Sequence, residues 1–170
     1  VRLVAQVAGR SIGVCMCWRG TAHPFVLYPS WQALAKQPWA AQLLALKDPA
    51  FRRRLLAETP VHVGGFEACV TQTFGRMYPM GDGFNYEPDP SESLAARALA
   101  EGKDPRELAY DQLMADDGEG FLYFPLFNYA SGKLDMLREL HSMTELTRIG
   151  LADRGAHCGS ICDGGMPTFM

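Results

Sequence analysis

Residues 1–7, VRLVAQV, and 12–18, IGVCMCW, are almost unbroken apolar runs rich in β-branched side chains. That feature constrains the fold most. Strands with one wet face alternate apolar and polar residues, whereas strands covered on both faces do not. The two runs predict strands buried on both sides, as in a parallel sheet. Gly9, Gly13 and Gly20 punctuate them.

A parallel sheet needs helical crossovers, and the following residues supply helix signals. Ser30 is placed to cap WQALAKQ, Pro38 interrupts, and residues 39–46 resume an apolar rhythm. Asp48-Pro49 and Asp104-Pro105 each pair an N-cap with a proline at the first helical position. They open AFRRRLLAE and RELAYDQLMADD. Ser91 can cap ESLAARALAEG, with Gly102 as its stop. The Arg52-Arg53-Arg54 cluster beside Leu55 reads as a solvated helix face. Residues 60–86 hold short apolar pieces between glycines and read as short strands and loop. GFLYFPLF, 120–127, is strand-like, although Pro125 argues against a regular central strand. GKLDMLRELH, 132–141, places Leu134, Leu137 and Leu140 on one helix face. LTRIGL, 146–151, is a short strand leading to Asp153.

The final unit is therefore strand, helix, strand, with a carboxylate just past the last strand. In α/β barrels the C-terminal ends of strands carry the active site. Asp153 is a catalytic candidate on that ground, and an Asx-turn or helix cap is the plainer alternative.

Bulk properties narrow the function. The chain has 170 residues and a formal net charge of −3, which excludes a basic field for nucleic acid or anionic lipid. No apolar stretch approaches the roughly 18 residues of a membrane helix. Five cysteines is an odd count, and reduced thiols in a cytoplasmic protein are expected. Cys15, Cys17, Cys158 and Cys162 could supply four thiolates for zinc, but their spacing favours small buried side chains. The chain begins at Val1 inside a strand-like run, so both ends are expected to be internal to a longer protein.

Several blocks in order carry a resemblance: AQVAGRSIGV, HPF at 23–25, RMYPMGD at 76–82, FNYEP at 84–88, ESLAARALAEGKDPRELAYDQL, FLYFPLFNYASGKLD and LADRGAHCGSICD. Together they resemble the N-acyl-D-amino acid deacylase (D-aminoacylase-like) branch of the amidohydrolase superfamily. The resemblance implies a partial (β/α)8 barrel: residues 1–28 a barrel strand and loop, 29–118 a mainly helical insertion, 119–170 the last strands with the active-site loop. A closed barrel takes about 250 residues, so 170 cannot complete one.

The resemblance implies zinc-dependent hydrolysis of a non-peptide amide bond in a small-molecule substrate, with one or two Zn²⁺ ions. The ligands would lie mainly upstream, since no H-x-H pair occurs here, and the 170 residues alone are expected to be inactive. The family's S-D-G-G-A-H stretch reads Ala152-Asp153-Arg154-Gly155-Ala156-His157. Asp153 then matches the catalytic aspartate. It would serve as base and acid and could touch the metal directly or through water. Arg154 favours its charged form and so weakens it as a base.

Arg10, Arg19 and Tyr129 are candidates to hold the substrate carboxylate, and His157 could bind substrate or orient the loop. His23 is a structural or substrate-loop residue, and His62 and His141 have no assigned role. Hydrolysis of a cyclic amide is an alternative on the same fold. A non-catalytic binding domain that has lost its metal is the alternative of another class.

Overall fold

A computed structural model describes residues 3–61, 64–129 and 131–150. Asp153, His157, His62, Cys158 and Cys162 lie outside them.

The chain is mixed α/β, with two small sheets and no closed barrel among the described residues. Strand β1 (Ala5–Val7) pairs in parallel with β5 (Thr147–Ile149), Ala5 opposite Thr147 and Val7 opposite Ile149. The second sheet is antiparallel, in the order β2 (Ile12–Met16), β4 (Phe121–Phe127), β3 (Tyr78–Met80).

The second apolar run therefore forms an antiparallel strand, where its composition predicts a parallel one. The inference of two covered faces holds and the inference of direction does not. Val14 and Met16 lie opposite Phe124 and Leu122 and enter the main core. On the other face Cys15 opposes Tyr123, whose ring is covered by Phe84 and Tyr86 with centroids 5.1 and 5.6 Å away. Gly13 is required there, because a Cβ would fall 2.3 Å from the Tyr123 ring.

Pro125 does stand in the central strand. Its lost N–H is tolerated because β3 pairs only with residues 121–123, and β2 shifts register between Ile12 and Gly13. Just before β3 begins, Arg76 Nη2 donates to the carbonyls of Pro125 and Leu126, at 2.6 and 3.2 Å.

The helices are α1 (Pro29–Leu34), α2 (Trp39–Leu46), α3 (Pro49–Ala57), α4 (Gly65–Gln72), α5 (Leu94–Glu101), α6 (Pro105–Gly118) and α7 (Asp135–Ser142). Asp48 and Asp104 cap α3 and α6 by accepting from the N–H two residues on, at 2.8 Å each. Gly102 ends α5 in the left-handed region.

Two caps differ from the sequence expectation. Ser30 lies inside α1, and the carboxylate of Glu58 accepts from its N–H at 2.9 Å. A charge on the helix N-terminus does what a hydroxyl was expected to do. Ser93, not Ser91, caps α5; the residues before it form a short 3₁₀ turn, Pro90–Glu92, closed by an Asp89/Glu92 capping box. Helix α4 falls where strands and loop were expected, since flanking glycines hid its rhythm.

The main core joins the antiparallel sheet to the helices: Trp18, Phe25, Tyr28, Trp31, Leu55, Tyr110, Leu113, Leu122 and Phe124 are all buried. His23 sits inside it, fully buried, with its ring edge-on to Trp18 and Trp31 at 5.2 and 4.6 Å.

Candidate functional site

The chain leaves β1 at Val7 and turns through residues 8–11 into β2. Three elements hold this turn. His141 of α7 lies with Nε2 2.8 Å from the Ala8 carbonyl, so Nε2 carries the proton and donates. Ser11, fully buried, shares a hydrogen bond with the Tyr123 hydroxyl of β4 at 2.6 Å. The third element is the segment around Tyr86, whose carbonyl accepts from Ser11 Oγ at 3.4 Å.

Arg10 lies at the centre of this clamp and is only 4% exposed. Its guanidinium carbon stands 3.8 Å above the Tyr86 ring, and Nη1 donates to the Ser11 carbonyl at 3.2 Å. An aromatic face supports a cation at that distance.

Tyr129, also a candidate, grips the same segment two residues further on, donating its hydroxyl to the Pro88 carbonyl. Burial pushes its phenol pKa well up, and the nearby Tyr78 and Glu87 act in the same direction. Its hydroxyl is a neutral donor. Glu87 Oε1 accepts from the Leu134 N–H at 2.8 Å and ties the segment to the start of α7. Arg10 and Tyr129 thus reach the 86–88 segment from two sides.

Arg19 stands apart. It is exposed, pairs with Glu119 at 2.6 Å, and lies 5.5 Å over the ring of Trp39. His23 accepts from the Phe25 N–H on Nδ1 at 3.2 Å, and burial lowers its pKa to about 3. It is a neutral core residue.

Cys15 and Cys17 are half-buried and Cys69 is exposed. No group of three His, Cys, Asp or Glu side chains able to hold a metal occurs among the described residues. No helix among them is long and apolar enough to cross a membrane.

Ser11, Tyr86, Tyr123 and His141 were not singled out by the sequence. FNYEP pointed near Tyr86, but the other partners come from residues more than 100 positions away. A scan of protein-family models finds no match, and searches of curated proteins and of solved structures find none either.

Proposed function

We propose that this chain carries part of the active site of a zinc-dependent amidohydrolase that deacylates N-acyl-D-amino acids. The ordered sequence blocks support this reading. The observation that carries it is the parallel register of β1 and β5, with Val7 beside Ile149. Both strands point the same way, so the chain leaves both at one edge. Arg10 follows three positions past Val7, and Asp153 follows four positions past Ile149 in sequence. Strand C-terminal edges are where α/β enzymes place their chemistry.

In this reading Asp153 takes a proton from the attacking water and returns it to the leaving amine. Arg10, pre-positioned on Tyr86, holds the substrate carboxylate. The described residues do not fit a zinc ion: no donor cluster forms among them, and His23 uses Nδ1 within the core. No step is assigned to a metal here.

The test is turnover of an N-acetyl-D-amino acid by the gene product containing this chain, loaded with zinc. Hydrolysis of the D form over the L form is expected. Asp153→Asn is expected to lower kcat by about 10²–10⁴-fold with zinc content unchanged. Equal turnover by wild type and Asp153→Asn, or none by wild type, overturns the reading.

A further inference from the structure

The segment that holds Arg10 has a second side. There it walls a pocket of about 430 Å³, lined among others by Tyr78, Asp82, Ser91, Glu92 and Arg97. The size suits a small ligand. Its walls carry both signs of charge, and these charges are not spent on each other. Neither Arg97 nor Asp82 makes an ion pair among the described residues. Glu101, one turn along α5 from Arg97, is already bonded to Lys103 at 2.7 Å. Glu92 commits Oε2 to the Asp89 N–H at 3.1 Å and keeps Oε1.

Tyr78 adds a second kind of observation. It is 4% exposed, yet its hydroxyl has no hydrogen-bond partner among the described residues. The residue lines the pocket, so that hydroxyl is available to a ligand there.

We propose that this pocket binds a free α-amino acid as its zwitterion. The carboxylate meets the Arg97 fork, the ammonium meets Asp82 and Glu92, and the Tyr78 hydroxyl completes the site. A pocket with unspent charges of both signs suits a ligand that carries both. A simple carboxylate would face two like charges, and a simple amine would face Arg97. The site does not rest on the hydrolase reading, because recognition by a charge pair needs no catalysis.

The experiment is calorimetric titration of the chain with glycine, D-alanine and L-alanine, alongside acetate and methylamine. Saturable binding of the amino acids is expected, with acetate and methylamine at least ten-fold weaker. Arg97→Ala and Asp82→Asn, both on exposed positions, are each expected to weaken binding at least ten-fold without moving the thermal midpoint. Tyr78→Phe is expected to weaken it several-fold. Three outcomes overturn the proposal: no saturable binding, acetate binding as tightly as glycine, or binding indifferent to both charge substitutions. None of them touches the turnover test of Asp153, so the two readings fail separately.

Discussion

The two sheets follow opposite rules. The antiparallel sheet is enclosed: Val14, Met16, Leu122 and Phe124 face the helices, and Tyr123 is roofed by Phe84 and Tyr86. The parallel pair β1–β5 is bare by comparison: Ala5, Gln6, Arg148 and Ile149 are exposed, and only Val7 and Thr147 are buried. Parallel strands normally lie covered on both faces, so β1–β5 has a composition that its described neighbours do not use. Stability should therefore sit in one sheet, while the candidate chemistry leaves from the edge of the other.

The largest effects should separate the two regions. Trp18 packs against His23, Phe25, Trp31 and Tyr110, with ring centroids 4.9–5.3 Å away. Trp18→Ala is expected to cost about 3–5 kcal/mol, and Ile149→Ala about 0.5 kcal/mol or less. Urea unfolding of both variants tests the contrast. Equal costs would mean that β1–β5 shares the core's cooperativity.

His23 sharpens the same contrast through pH. Its folded pKa, about 3, lies below its ordinary value of 6.5. Between those values the unfolded chain binds a proton that the folded chain refuses. Stability is thus fully present above pH 6.5 and falls as pH drops toward 3. The loss should reach about 3 kcal/mol at pH 4, since each unit is worth about 1.4 kcal/mol. Thermal midpoints from pH 7 to 4 for wild type and His23→Leu measure it. The variant should lose its share of the slope, whatever its own stability at pH 7.

What the sequence made legible follows from the range of each interaction. Asp48, Asp104 and Gly102 were readable because a cap bonds within a few residues. The strands at 12–16, 121–127 and 147–149 were readable as apolar runs. Strand direction was not, since Cys15 and Tyr123 are 108 positions apart and a covered face looks alike in either sheet. Ser30 was misread because its cap comes from Glu58, 28 residues away. Among the site candidates, the sequence named Arg10 and Tyr129 but not Tyr86, the ring beneath Arg10. The positions that carry Asp153 and His157 lie beyond the described residues.

A middle-sized effect tests the shifted cap of α5. Ser93 is buried and its hydroxyl accepts from the Ala96 N–H at 3.3 Å, while Ser91 bonds Asp89 in the exposed 3₁₀ turn. Ser93→Ala should cost about 1 kcal/mol, and Ser91→Ala no more than about 0.5 kcal/mol. Chemical denaturation of the pair decides it. The reverse order would place the helix start where the sequence alone suggested.

The smallest effect, that of Asn128→Gly, lies where the enclosed sheet hands the chain toward the bare one. Asn128, directly after β4, has φ of 62° and precedes Tyr129, the residue that grips Pro88. A left-handed backbone costs a side chain energy that glycine does not pay, though asparagine is among the residues that tolerate it best. Against that gain, glycine loosens the unfolded chain. The two terms oppose each other, so Asn128→Gly should change stability by no more than about 0.5 kcal/mol in either direction. Asn128→Val has no such balance, because a β-branched residue resists this conformation, and it should destabilise by about 1–2 kcal/mol. If the turn matters for positioning, Asn128→Val should also disturb the Tyr129–Pro88 bond and with it the wall beneath Arg10. The tyrosine resonances would report that change by NMR, whereas Ile149→Ala should leave them unmoved.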